Sequence, residues 1–314
     1  MKGRRLMDMQ RTLGKSVIFS GIGLHSGRAI HCELRPARPD SGIVFVLEKK
    51  DGTVSRIPAK FKNVGELTYN TGLRADNGEI FTVEHLLSAL HGYRVDNCEI
   101  RLDDMEVPVM DGSASPFIYL LSEAGIVRQK APRRVMRLTQ SIRVESGDAY
   151  IEASPPRGQH LSIEYHIDFD HPCIGQMAAT YTDDAYHYAH AIAPARTFGF
   201  LKEVEFLRRR GLIKGAGLNN AVVMDDHRVI SGPLRFNDEY VRHKILDFWG
   251  DIVLLGHPLI AHVKAVKAGH RLHSMLVEKL LRTPDVLVPV DHKVPHRLFH
   301  WEPVPVESAP KSRA

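Results

Sequence analysis

The chain has 314 residues, 43% hydrophobic and 25% charged, a composition that excludes a largely disordered protein and leaves room for two domains. No apolar run reaches the ~18 residues of a membrane span, and the first ten residues lack the apolar centre of a secretory signal, so a cytoplasmic location is expected. The formal charge of +5 favours anionic partners such as phosphates or acidic lipid headgroups, but the chain is 7% aromatic and does not interleave aromatic with basic residues, so nucleic-acid binding is not expected.

Short extended pieces are predicted at 17 to 22, 28 to 35 and 42 to 47, punctuated by Gly and Pro. The period changes at Thr82, which is expected to cap a helix carrying Glu84 and His85 and ending at Gly92. A strand near 96 to 102 and a helix at 115 to 124 follow, the helix after the turn Asp111-Gly112-Ser113. The charged, Pro-containing stretch 128 to 134 reads as a linker. Beyond it come strands near 135 to 145, 149 to 153, 161 to 168 and 177 to 182, then helices near 201 to 209, 239 to 255 and 270 to 281. Strands followed by helices, twice over, predict an α+β class. The expected architecture is two similar two-layer domains with mainly antiparallel sheets and with helices packed between them. Boundaries are set at 1–130 and 134–300, with 301–314 as a flexible tail. Cys32, Cys98 and Cys173 form no C-x-x-C pair, which argues against a disulfide frame or a thiolate metal site.

The helix at 239 to 255 carries the most informative pattern. At about 100° per residue, His243, Asp247 and Asp251 stack on one stripe, with Lys244 on its flank. Ile245, Leu246, Phe248, Trp249, Ile252 and Val253 fill most of the remaining surface, so the stripe points into a protected place. Unpaired, such groups cost several kcal/mol each to bury, which a metal ion or a tight ion-pair network would relieve. Glu84 and His85 diverge by about 100° on their own helix, so one can ligate a metal while its neighbour faces a water, the logic of the H-E-x-x-H helix with its parts redistributed. His85, His243 and Asp247 then make a three-ligand set with an open position, suited to catalytic Zn²⁺. Competing readings are a helix-dipole carboxylate for Glu84, a helix cap for Thr197 and a helix-start residue for His270. Asp183, His187 and His190, and His166, Asp168 and Asp170, form two further clusters that read as surface or ion-pair groups.

Several motifs occur in order along the chain: Thr82-Val83-Glu84-His85-Leu86, Asp111-Gly112-Ser113-Ala114, Ala195-Arg196-Thr197-Phe198-Gly199-Phe200, Arg242-His243-Lys244-Ile245-Leu246-Asp247 and Gly269-His270. With them the chain resembles the UDP-3-O-acyl-N-acetylglucosamine deacetylases over about residues 10 to 300. The resemblance implies zinc, or Fe²⁺ in the cell, on His85, His243 and Asp247, with Glu84 as general base. It implies His270 as the acid for the departing amine, Asp251 as its partner, and Thr197 and Lys244 as groups on the carbonyl oxygen or on nearby substrate oxygens. It implies a passage for the fatty acyl chain along the insert holding Phe198, Phe200, Leu201 and Gly217. The substrate implied is UDP-3-O-(3-hydroxyacyl)-N-acetylglucosamine, at the committed step of lipid A biosynthesis in Gram-negative bacteria. A monomer making only weak contact with the inner membrane surface is expected. Two segments depart from the family pattern, Gly215-Ala216-Gly217-Leu218-Asn219-Asn220 and Glu66 to Thr71, which leaves acyl-chain length open. A zinc amidase for another N-acetyl sugar would keep the chemistry and change the substrate.

Overall fold

The computed structural model describes residues 8–49, 51–75, 78–209, 211 and 213–290; the tail expected at 301–314 lies outside them. The fold is α+β, organised around two five-stranded sheets. The first runs, in spatial order, Val17–Ile22, Ala29–Pro36, Cys98–Leu102, Ile43–Glu48, Val54–Pro58. The second runs Ile142–Ser146, Ala149–Ser154, His262–Val266, Ser162–Phe169, Gly175–Thr182. Both follow one plan: the last strand in sequence inserts between the second and the third, antiparallel to the second and parallel to the third. The internal repetition too faint to establish from side chains is therefore present in the topology.

Period-2 alternation explains which face of each sheet is covered. Ile30, Cys32 and Leu34 are buried in the first sheet, as are Ile163, Tyr165 and Ile167 in the second. The helices are α1 (Glu84–Gly92), α2 (Ser115–Ala124), the single turn α3 (Ala185–His187), α4 (Leu201–Arg209), which packs on the short strand Phe198–Phe200, α5 (Glu239–Asp251) and α6 (His270–Arg282). Helix α5 packs on strands 162–169 and 175–182 and α6 on strands 142–146 and 149–154, while α1 lies against α5 and α2. Residues from both sheets and from α1, α2, α5 and α6 share one core.

Three expectations are corrected. Residues 128 to 134 are not a free linker, because Ile126–Pro132 pairs antiparallel with Met9–Leu13; its backbone bonds form whatever the polarity of Arg128 and Lys130. The strand expected over 135 to 145 is two: Met136–Leu138 joins a small sheet with Leu259–Ile260 and Leu287–Pro289, and Ile142–Ser146 starts the second large sheet. Thr82 does not cap α1. Val83 holds that position without a side-chain cap, and Thr82 has φ +59°, with its hydroxyl 3.3 Å from Glu106 Oε1.

Helices α1 and α5 meet closely. A Cβ added to Gly250 would stand 2.1 Å from the carbonyl oxygen of Glu84, so only glycine lets the two helices meet there. We expect Gly250→Ala to lower stability by about 1–3 kcal/mol, the cost of overpacking a closed core, read as a lower urea midpoint at unchanged slope.

Candidate active site

The stripe on α5 is buried as its spacing predicts. His243, Asp247 and Asp251 are 2–3% exposed, and Glu84 and His85, facing them from α1, are 3% and 5% exposed. His243 Nε2 lies 3.3 Å and His85 Nε2 3.7 Å from Asp247 Oδ1, and one donor atom from each of the three residues falls within 4.8 Å of the others. A tetrahedral zinc with bonds of about 2.0–2.1 Å separates its ligand atoms by roughly 3.3 Å, so the three donors already stand near coordination spacing.

The protonation states also suit a cation. Burial, then the neighbouring His243, pushes His85 down to about 3, and burial lowers His243 as well, so both rings are neutral near pH 7 with a lone pair to offer. The Nδ1–H of His243 donates to the Ala195 carbonyl at 3.1 Å, which leaves its Nε2 free for the cluster. His85 Nδ1 is buried without a hydrogen-bond partner among the described residues. Burial would raise Asp247, but His243 and Lys244 outweigh it and hold this carboxyl well below its usual range. Lys244 Nζ donates to its Oδ2 at 2.7 Å, leaving Oδ1 facing the imidazoles.

Glu84 and His270 flank the cluster with opposite tendencies. Burial raises the Glu84 carboxyl to about 7, with His270 partly opposing. Burial would depress His270, but the charge and hydrogen bond of Asp251, with Asp247 and Glu84 beyond, lift it to about 9. His270 Nε2 stands 4.0 Å from Glu84 Oε1 and 3.9 Å from Asp247 Oδ2, while its Nδ1 is 2.8 Å from Asp251 Oδ2. Two titratable groups with shifted affinities for the proton therefore stand 4.0 Å apart beside the His85, His243 and Asp247 cluster. His270 opens α6, as its alternative reading also required.

Two residues at this site escaped the sequence reading. Thr71 donates its backbone N–H to Glu84 Oε2 at 3.0 Å and its hydroxyl to Asp251 Oδ1 at 2.6 Å, tying the carboxylates of α1 and α5 together. It sits in an irregular segment whose period carries no signal. His273 lies 2.8 Å from Asp251 through Nδ1; its i, i+3 spacing from His270 was the available clue.

Thr197 enters through its backbone, with its N–H on the Gly112 carbonyl and its own carbonyl accepting from Val222 N–H. It does not cap α4, which follows the strand Phe198–Phe200. That strand pairs in parallel with Val222–Met224, and α4 joins the two. Thr197, Phe198, Phe200, Leu201 and Gly217 line one cavity of about 260 Å³ with mostly apolar walls. Of the two rival clusters, neither gathers as a metal group among the described residues. Asp183 pairs with Arg94 at 3.6 Å, His166 with Glu164 at 2.6 Å and Asp168 with Lys267 at 3.0 Å.

Residues 10–282 match the family described as LpxC: UDP-3-O-acyl N-acetylglycosamine deacetylase. The chain belongs to this deacetylase family. Among its relatives are proteins named UDP-3-O-acyl-N-acetylglucosamine deacetylase. The one from Coxiella burnetii (strain CbuK_Q154) is 42% identical over 302 residues, covering 95% of this chain and 99% of its own length. The one from Oleidesulfovibrio alaskensis is 45% identical over 266 residues, covering 84% of this chain and 86% of its own length. The one from Haemophilus influenzae (strain PittEE) is 44% identical over 279 residues, covering 88% and 90%.

In this deacetylase-family chain, Glu239 fastens the Ala195–Thr197 segment to the start of α5. It is fully buried and accepts from Arg196 N–H at 3.0 Å, Arg196 Nε at 2.8 Å, Arg196 Nη2 at 3.0 Å and Arg235 N–H at 2.7 Å. Burial would raise its carboxyl, but these bonds hold it below the ordinary value. A depressed carboxyl stabilises the fold above its unfolded pKa, about 4.3, and that contribution is lost as pH falls through the folded value. Glu239→Gln should therefore cost about 3–5 kcal/mol at pH 7. The loss should shrink in unfolding curves taken progressively below pH ~4, where the wild-type carboxyl is also protonated.

Proposed function

We propose that the chain is a zinc-dependent hydrolase that removes the N-acetyl group of UDP-3-O-(3-hydroxyacyl)-N-acetylglucosamine, giving the free amine and acetate on the route to lipid A. The observation that carries this reading is the meeting of His85 with His243 and Asp247, between Glu84 and His270. A divalent cation held by those three residues would supply Lewis acidity towards the amide carbonyl and a lower pKa for the attacking water.

The chain's own residues supply the rest. Glu84, ionised at one of its carboxylate oxygens, accepts the proton of the water that attacks the carbonyl carbon. The Lys244 ammonium, with the Thr197 hydroxyl, stabilises the negative charge that develops on the carbonyl oxygen. His270, protonated and held by Asp251, gives its Nε2 proton to the amine nitrogen as the C–N bond breaks. That proton matters because an unprotonated amine is a poor leaving group. Water, amide and the two proton transfers balance to one carboxylic acid and one amine. The apolar cavity along Phe198 and Phe200 accommodates the acyl chain and favours an acylated sugar over a bare one.

Metal analysis and acetate release on wild type and Glu84→Ala test the proposal. Zinc content should stay at the wild-type level while turnover falls by about 10²–10⁴; undiminished turnover in the variant overturns it. A substrate series with shortened acyl chains should lose kcat/KM by about 0.8 kcal/mol per methylene, roughly fourfold each, until the cavity is vacated.

A further inference from the structure

Asp251 is the hub of a network larger than the acid pair needs. Its Oδ1 receives the Thr71 hydroxyl, and its Oδ2 is shared by two imidazoles, His270 Nδ1 and His273 Nδ1, each at 2.8 Å. His273 is 1% exposed. On its far side, Nε2 stands 3.0 Å from the hydroxyl of Tyr165, which is also 2.9 Å from the Ala268 carbonyl, two residues before His270. Tyr165 is fully buried in the central part of the second sheet, and the edge of Phe248 closes on the His273 ring at a centroid distance of 5.4 Å. The two histidines are unequal: His270 reaches the metal-ligand cluster, and His273 reaches only Asp251 and the sheet.

We propose that His273 is a positioning residue, a strut from Tyr165 to Asp251 that fixes the carboxylate, and through it the ring of His270, in the orientation the amine-protonating step requires. The inference rests on His270 being the acid of the proposed reaction. Its physical basis is geometric. A carboxylate hydrogen-bonded on both oxygens cannot rotate about its Cβ–Cγ bond without breaking a buried bond, and each break leaves a desolvated partner unsatisfied. Burial lowers His273; its Nδ1–H donates to the carboxylate, and its Nε2 accepts from the Tyr165 hydroxyl, whose one proton is shared between that nitrogen and the Ala268 carbonyl. With the strut removed, Asp251 retains only Thr71 and His270, and the direction of the His270 ring is no longer tied to the sheet.

Four metal-loaded proteins, wild type, His273→Leu, His273→Asn and His270→Ala, together with the His270→Ala/His273→Leu double variant, provide the test by acetate release. His273→Leu should lower kcat by about 10–100-fold, the cost of misplacing a proton donor by around 1 Å, while KM stays within about twofold. His273→Asn, which keeps an amide N–H donor towards Asp251, should recover most of that loss. In the His270→Ala background His273→Leu should cost less than about twofold, because a residue acting through another adds nothing once that other is gone. Unchanged kcat in His273→Leu, or an equal loss in both backgrounds, overturns the proposal. Should His273→Leu fail to fold, Tyr165→Phe removes the anchor with one atom's change, and unaltered kcat there overturns it equally. The His270 Nδ1–H proton resonance needs no turnover: it should shift in His273→Leu and return in His273→Asn. Normal acetate release by His270→Ala would sink the reading of His270 alone, and an unshifted resonance would sink the strut.

Discussion

The site depends on the close contact of α1 with α5 at Gly250. Because Gly250 lacks the Cβ that would collide with the Glu84 carbonyl, the first turn of α1 and the last turn of α5 can share one small volume. That contact sets His85 against His243, with ring centroids 5.0 Å apart, and it seals Glu84 and Asp247 from water. Burial is what drives Glu84 up and His85 down, so the chemistry of the side chains is a consequence of backbone packing.

Charge is tolerated in this volume because it is balanced in layers. Asp247 faces two neutral imidazoles and the Lys244 ammonium; Asp251 faces His270, His273 and the Thr71 hydroxyl. Thr71 joins the layers, its backbone on Glu84 and its side chain on Asp251. At the outer edge, Glu239 fixes Arg196 and thereby the segment whose Ala195 carbonyl sets the His243 tautomer. Each layer supports the one nearer the cluster, as metal sites with hydrogen-bonded outer partners generally require.

Much of this was legible in the chain because helices carry their geometry in their spacing. The stripe His243, Asp247, Asp251 on an otherwise apolar helix announced a buried polar site, and the α+β class followed from the order of periodic segments. The strand His262–Val266, central to the second sheet, was overlooked although Val263 and Ala265 alternate inward against Lys264; five residues are too few for period to stand out beside a long helix. The pairing of 126–132 with 9–13 is long-range and made by backbone groups, which side-chain pattern does not record. Thr82 looked like a cap because its residue type favours one, but tertiary bonds to Glu106 and Asn70 draw it into a positive φ instead. His273 was hidden for a related reason, since its importance lies in its partners.

The proposed ligand set draws one member from α1, in the first half of the chain, and two from α5, which lies on the second sheet. A cation seated there would act as a clasp between the two halves of the chain. Its binding free energy would be added to that of their docking, and unfolding would become linked to free metal activity by mass action. Chelation would then weaken the join of α1 to α5 inside the core that the two sheets share.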